Sequence, residues 1–219
     1  MNSLQPKNQK TKVKTLVIAE SGLLTDICLR QNAHSVYICD QAKREELALA
    51  IPEYAFSEVD GQLHQRLSNR LSQIQQIRRF TNELLREQDM AASAGQLREI
   101  LATVEEQTAS KQHLIQAELS AIAEVCQIIP ITFESFRRGK LRFLRSTPPP
   151  DENDCHILEC VLCYLAEHQN DYELKIFLCH DQRHFDDSTL HESLAQLNAQ
   201  MVFSSSACLQ TIRSYLPDE

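Results

Sequence analysis

Residues 151–185 read DENDCHILECVLCYLAEHQNDYELKIFLCHDQRHF, a pattern that predicts a helix followed by a buried strand. The helix begins in an acidic segment that contains Asp154, and the apolar run at residues 176–179 is followed closely by Asp181. In open α/β sheets, ligands bind in the crevice beyond the carboxyl ends of the strands. We therefore expect Asp154 and Asp181 to converge there as half of a metal site.

Two further carboxylates occupy comparable positions earlier in the chain. The apolar run at residues 15–19 is typical of a buried parallel strand, and it ends at Glu20 and Ser21. Residues 51–58 begin with an X-Pro step and then pass into a helix, which places Glu58 in its first turn. Acidic residues are common in first turns because they complement the helix dipole. A site is therefore indicated by the whole set and not by any one carboxylate.

The remaining elements predict the fold class. We expect a second strand at residues 35–39, a short helix or connection at 41–50 and a last strand at 200–204. Helices are expected at 190–197 and 207–216. Strands and helices in alternation predict a three-layer α/β/α domain with a mainly parallel sheet.

Residues 57–125 interrupt this alternation with a long helical pattern. Apolar residues recur every three or four positions, with a break at residues 91–95. This predicts an antiparallel helical hairpin, although residues 90–95 are compatible with either a tight turn or a continued helix. Its apolar seam is expected between the two helices or against a partner, so we expect the hairpin to serve a homo-oligomer, a protein partner or substrate clamping. One face carries arginines that either are solvated or contact a nucleic acid or a partner, namely Arg66, Arg70, Arg78, Arg79 and Arg86.

The strongest basic cluster lies just before the acidic helix start. Five cations fall within nine residues, without an acid among them: Arg137, Arg138, Lys140, Arg142 and Arg145. Cations beside carboxylates suit a phosphodiester-cleaving enzyme, in which the cations hold the nucleic-acid backbone and the carboxylates hold the metal. The alternative is a salt-bridged surface.

Composition limits the class of protein. The chain has 219 residues and a formal net charge of −8, which does not exclude a nucleic acid because binding depends on where cations cluster. It lacks an apolar run of the roughly 18 to 20 residues that span a bilayer, and its start lacks the apolar core of a signal peptide. We expect a cytoplasmic protein without a membrane partner. Residues 1–14 are expected to form a disordered basic tail, before a domain at 15–219 that the 57–125 hairpin interrupts.

Eight cysteines in such a chain indicate reduced thiols and not a disulfide framework. Cys160 and Cys163 form a CxxC, close to Cys155 and His156, so a zinc site is one interpretation. At helical spacing, however, residues 156, 160 and 163 share one stripe, which favours core packing.

Taken together, these segments resemble the PIN-domain family of metal-dependent nucleases. The resemblance rests on a strand that ends at Glu20, the Ile-Pro-Glu segment that ends at Glu58, the Asn-Asp-x-x-Ile-Leu start at Asp154 and the Phe-Leu-x-x-Asp-x-x-x-Phe segment at Asp181. It implies that these four acids converge to bind one or two Mg²⁺ or Mn²⁺ ions and to cleave RNA. It also implies a toxin or an antiphage effector. Helper positions under this interpretation are Asp151, Asp186, Ser21 and His180, and both His180 and His184 are candidates for proton transfer.

Crowded carboxylates repel one another unless a divalent cation neutralises them, and hard oxygen ligands suit Mg²⁺ or Mn²⁺ better than zinc. The sequence departs from the family at its first acidic position, which is usually Asp and is Glu20 here. We therefore carry two hypotheses. The first is an endoribonuclease whose substrate is RNA, with single-stranded DNA as a further candidate. The alternative is a catalytically inactive PIN-like module that binds RNA or a protein and acts as an assembly scaffold.

Overall fold

A computed structural model describes residues 15–215 and contains one parallel sheet. In this part of the chain the strand order is β3-β2-β1-β4-β5. The expected basic tail at 1–14 lies outside the described residues. The strands are β1 (Thr15–Ala19), β2 (Ala48–Pro52), β3 (Gln127–Ile129), β4 (Leu174–Leu178) and β5 (Ala199–Val202).

Helices connect the strands. None of those within residues 15–215 combines the length and the hydrophobicity needed to cross a lipid bilayer. In chain order they are α1 (Ser21–Leu29), α2 (Ala33–Lys43), α3 (Glu53–Leu84), α4 (Ala91–Ala123), α5 (Phe133–Leu144), α6 (Glu152–Glu167), α7 (Gln182–Phe185), α8 (Ser188–Ala195) and α9 (Ser205–Tyr215).

Both faces of the sheet are covered by helices. Successive side chains of β1 point in opposite directions, so Leu16 packs with α6 and α8 while Val17 packs with α1, α3 and α9. Burial on both faces explains why the strands read as continuous apolar runs without alternation. The predicted α/β class with a parallel sheet is confirmed, and the arrangement is compatible with three layers.

The strand expected at residues 35–39 is wrong, because these residues lie in α2. Ile38, Cys39 and Ala42 are buried on one side of this helix, while Asn32 caps its start by accepting a hydrogen bond from the backbone N–H of His34. The second strand is β2 instead, which begins inside the segment expected to be a short helix or connection and pairs with β1. A short amphipathic helix with β-branched and aromatic residues imitates a strand in sequence.

The predicted helical hairpin is present as α3 and α4, and these helices pack against each other. The turn lies between Leu84 and Ala91, so the break expected at residues 91–95 is wrong. That segment is alanine-rich and begins α4, and Gly95 is tolerated within the helix. Near the sheet, Leu63 and Leu67 belong to the domain core, whereas farther out Ile74 is buried outside that cluster.

Candidate metal centre at the carboxyl edge of the sheet

The chain order reverses at β1 and β4, because β2 and β3 continue the sheet on one side and β5 continues it on the other. Crevices in open α/β sheets form at such a switch point, beyond the carboxyl ends of the strands. Glu20 directly follows β1 and Asp181 follows β4, so the topology places both carboxylates at this crevice.

Asp154 and Asp181 are joined by a histidine. Asp154 lies in the first turn of α6, and its Oδ2 is 2.7 Å from Nδ1 of His184 on α7. Oδ2 of Asp181 is 3.2 Å from the same nitrogen. The ligand atoms of these three residues lie within 4.8 Å of one another. In the described part of the chain, this is the group of His, Cys, Asp and Glu side chains whose spacing can hold a metal ion.

Glu20 is buried and held by two donors. The backbone N–H of His180 donates to Oε1 at 2.9 Å, and Oγ of Ser21 donates to Oε2 at 3.0 Å. Each carboxylate oxygen has two acceptor positions, so these bonds orient the group and leave one lone pair on each oxygen. The helper roles expected for Ser21 and His180 therefore take the form of positioning Glu20.

Glu58 reaches the same region from α3, although its expected place in the first turn is wrong, because the helix begins at Glu53 and Glu58 lies in the second turn. It is half-buried, and Nε2 of Gln62 donates to its Oε1 at 2.9 Å. Burial raises the pKa of the Glu58 carboxyl, and the charges of Glu20 and Asp151 raise it further, while the hydrogen bond from Gln62 lowers it. Glu58 thus belongs electrostatically to the same cluster.

All four predicted acids line one open cleft of about 810 Å³. A fifth carboxylate, Asp26, also lines it, and two guanidinium groups, Arg66 and Arg183, face the five acids. Burial raises the pKa of Asp154 to about 6, with a further increase from the charge of Asp151. The His184 pKa is raised in turn, chiefly by its hydrogen bond to Asp154.

A divalent cation fits this donor set. Carboxylates dominate it, and hard oxygen donors with one imidazole suit Mn²⁺ or Mg²⁺. The raised pKa values of Glu58 and Asp154 reflect burial and mutual repulsion, both of which a cation would relieve. The residues that would hold the ion are Asp154, Asp181 and His184, with Glu20 and Glu58 across the cleft.

A buried polar network supports this edge of the sheet. Oγ of Ser35 donates to Oδ2 of Asp26 at 2.8 Å and lies 2.7 Å from Oγ of Ser205, which is 3.2 Å from Nε2 of His180. Because a hydroxyl has one proton, Ser205 donates to Ser35 and accepts from Nε2 of His180. Ser205 is fully buried, so the network is structural and does not present a serine nucleophile.

Sequence reasoning missed Asp26 and gave His184 only a role in proton transfer. Both residues are placed by contacts between different elements. Asp26 accepts a hydrogen bond from Ser35 on α2, and His184 is hydrogen-bonded to Asp154 on α6. His184 does lie three residues after Asp181, and that short spacing within a turn is the one signal that pointed to it.

None of the five cations of the basic cluster, which lies on α5 and at its end, lines the cleft. Arg137 and Arg138 pair with Glu134, Lys140 pairs with Glu152, and Arg142 pairs with Glu159. Such pairing corresponds to the salt-bridged surface considered from the sequence. Arg145 has no ion pair within the residues described.

The two outer acids differ in position. Asp151 caps α6 by accepting from the backbone N–H of Asn153 at 2.8 Å, and its charge reaches Asp154 and Glu58. Asp186 is exposed and does not line the cleft, and its carboxylate accepts a hydrogen bond from the side chain of Gln182.

The CxxC cysteines pack into the domain. Cys155 and Cys160 are buried, and burial raises the pKa of the Cys155 thiol to about 11, which disfavours the thiolate that zinc requires. Cys163 lies beside Arg138, with Sγ 3.9 Å from Nη1. His156 and Cys160 are buried and match the core-packing interpretation, whereas Cys163 is half-buried at the surface.

Comparison of the chain with models of protein families, with curated proteins and with solved structures found no match.

Proposed function

We propose that the chain is a metal-dependent endoribonuclease of the PIN-like type. The proposal rests on one observation: ligand atoms of Asp154, Asp181 and His184 lie within 4.8 Å of one another at the switch point of a parallel sheet. Glu20 and Glu58 line the same cleft. The resemblance seen in the sequence assigns the four acids to one site, and this geometry supports that assignment.

A bound divalent ion would lower the pKa of a water molecule and polarise a phosphoryl oxygen. The chain's own residues supply the setting for this chemistry. Ser21 and the backbone of His180 fix the Glu20 carboxylate, and Gln62 orients Glu58. Nδ1 of His184 shares a proton with Asp154 when no cation is bound.

Phosphodiester substrates must approach a cleft with an excess of carboxylates. Arg66 and Arg183 line it and can each hold a phosphate group through two parallel N–H···O bonds. Two cations do not neutralise five acids, so substrate binding depends on the divalent ion as well.

The test is cleavage of a mixed pool of structured and single-stranded RNA with Mg²⁺ or Mn²⁺. Asp154→Asn and Asp181→Asn should abolish cleavage, because each removes a ligand charge. Asp40→Asn is the matched control, since Asp40 pairs with Lys43 on α2 outside the cleft. Equal cleavage by the intact chain and both cleft variants would contradict the proposal.

A second candidate is the PIN-like binding module without catalysis. The observation that favours it is that the first acidic position, which is usually Asp in the family that the sequence resembles, is Glu20 here. Exposed apolar side chains on the hairpin, including Phe80 and Ile100, are consistent with an assembly role. RNA retention that is sensitive to salt, without cleavage in any metal, would favour this candidate. A clean monomer in solution would count against the assembly role.

A further inference from the structure

The cleft continues into a second concavity along the exposed side of α3. This groove has a volume of about 650 Å³ and shares Gln62 and Arg66 with the cleft. It runs from Gly61 to Gln73, and the twelve helical steps between them, at about 1.5 Å each, give a length of about 18 Å. The lining of the groove, which we call the α3 groove, consists of Gly61, Gln62, Gln65, Arg66, Asn69, Arg70 and Gln73.

The α3 groove differs from the cleft in its charge. Its lining contains two arginines, four side-chain amides and no carboxylate. Within residues 15–215, neither Arg66 nor Arg70 has an ion-pair partner. Farther along the same helix, Arg78 differs from them because it pairs with Glu105 at 2.9 Å. A positive strip therefore leads directly away from the acidic cleft.

The spacing of the groove residues suits a polymer of phosphates. Arg66 and Arg70 are one helical turn apart, with a separation of about 6 Å between equivalent atoms. Guanidinium groups bind phosphate oxygens in pairs. The amides of Gln62, Gln65 and Asn69 provide donors and acceptors together, which is what base edges require. No apolar side chain lines the groove, whereas the core of a protein interface is apolar.

We propose that the α3 groove binds the single-stranded nucleic acid that flanks the phosphodiester held in the cleft. Arg66 and Arg70 contact successive phosphates, and the amides contact bases. A single strand fits better than a duplex, because the lining comes from one helix and the major groove of A-form RNA is too narrow for side chains to enter. The inference rests on the proposed function, since it assigns the path of the same substrate.

The test measures binding without cleavage, in the intact chain carrying Asp154→Asn. The groove variant adds Arg66→Gln and Arg70→Gln. Its matched control adds Arg79→Gln and Arg86→Gln, which remove the same charge from exposed positions of the hairpin outside the groove. Equal melting temperatures of the two variants establish that both are folded. The probes are a fluorescent single-stranded 12-mer of RNA, the same sequence in DNA, and an RNA duplex.

Loss of two phosphate contacts should weaken binding of the RNA 12-mer roughly 10- to 30-fold near 0.1 M salt and reduce the salt slope by about 1.4. The control should match the parent protein. Similar losses of affinity for RNA and DNA would support contacts to phosphates, which both strands carry. A loss confined to RNA would overturn the assignment of Arg66 and Arg70 to phosphates. Equal affinities of the groove variant and its control, tighter binding of the duplex than of the single strand, or no binding by the parent would overturn the proposal.

The outcome is separable from that of the nuclease proposal. Suppose that the chain with Asp154 intact cuts no RNA, but that the groove variant still binds the RNA 12-mer more weakly. The proposal for the α3 groove is then supported, and the nuclease proposal is wrong. If the chain cuts RNA and the Arg66→Gln, Arg70→Gln double variant cuts it with an unchanged KM, the nuclease stands and the groove fails.

Discussion

The imidazole of His184 is hydrogen-bonded to the carboxylate of Asp154, with Nδ1 2.7 Å from Oδ2. This contact joins α7 to the first turn of α6 and brings an imidazole into a cleft of carboxylates. A cation held by Asp154, Asp181 and His184 would replace the proton that Asp154 and His184 share. The site is therefore expected to exchange that proton for a metal ion.

Replacement of His184 by Ala tests whether the imidazole is a ligand. We expect the Mn²⁺ affinity to fall by about 10-fold or more, and the Mg²⁺ affinity to fall less, because imidazole is a softer donor than Mg²⁺ prefers. Calorimetric titration of both ions measures this. His191→Ala is the control, since His191 pairs with Asp186 outside the cleft. Identical Mn²⁺ affinities for the two variants would exclude His184 as a ligand.

The metal-free protein should lose stability as the pH rises. The pKa of Asp154 is raised from 3.8 to about 6 on folding, chiefly by burial. A raised pKa stabilises the folded state below the unfolded value, and this contribution is lost as pH rises through the folded value. The melting temperature of the chain in EDTA should therefore fall relative to that of Asp154→Asn between about pH 4 and about pH 6.

His184 acts in the same direction, because its pKa is also raised. Stabilisation of the intact chain by Mn²⁺ should consequently be larger at about pH 8 than at about pH 5, where protons compete for the ligands. Parallel pH profiles of the chain and Asp154→Asn in EDTA would show that Asp154 does not titrate as described.

Gly22 is required for the position of Glu20. A Cβ at this residue would overlap Oε1 of Glu20 and would lie 2.7 Å from Nδ1 of His180. Gly22→Ala should therefore displace the carboxylate and lower cleavage by about 10-fold or more. Gly95→Ala meets no atom within 4 Å and should stabilise α4 by about 0.5 to 1 kcal/mol with unchanged cleavage. Full activity of Gly22→Ala would mean that Glu20 does not need its present position.

The basic cluster of α5 should affect stability more than RNA binding. Nε of Arg142 lies 2.7 Å from Oε1 of Glu159, and Nη1 donates to the carbonyl of Pro148 at 2.8 Å. Since this pair is largely buried, Arg142→Ala should lower the free energy of unfolding by about 3 kcal/mol, as measured with urea. Arg145→Ala should change it little. A loss of RNA affinity without a loss of stability in Arg142→Ala would return the cluster to the nucleic-acid interface.

The sequence predicts the carboxylates at the edge of the sheet well, because a residue that follows a strand of a parallel sheet lies at the carboxyl edge of that sheet. Glu20 and Asp181 are examples, and Asp154 follows from a helix start. The pairing of Asp154 with His184 depends on how α6 and α7 dock, which local patterns do not encode. Glu159 illustrates a different limit. It falls on the buried side of α6, and only its tertiary contact with Arg142 explains a buried acid there.

The prediction of secondary structure from the sequence failed where the patterns of a strand and of a helix overlap. Residues 35–39 are apolar and β-branched enough for a strand, yet the cap at Asn32 and the buried stripe on α2 make them helical. Along α3, the arginines could be assigned to one exposed face from helical periodicity. The sequence did not show that these arginines continue into the cleft, because that depends on how α3 packs against the sheet.

The most direct test of the central claim is the rate of RNA cleavage as a function of Mn²⁺ concentration, for the intact chain and for Asp181→Asn. The account predicts no cleavage in EDTA, a saturable rise with Mn²⁺, and a curve for Asp181→Asn that is shifted to higher Mn²⁺ or abolished. Cleavage that persists in EDTA, or that responds to Mn²⁺ identically in both proteins, would contradict it.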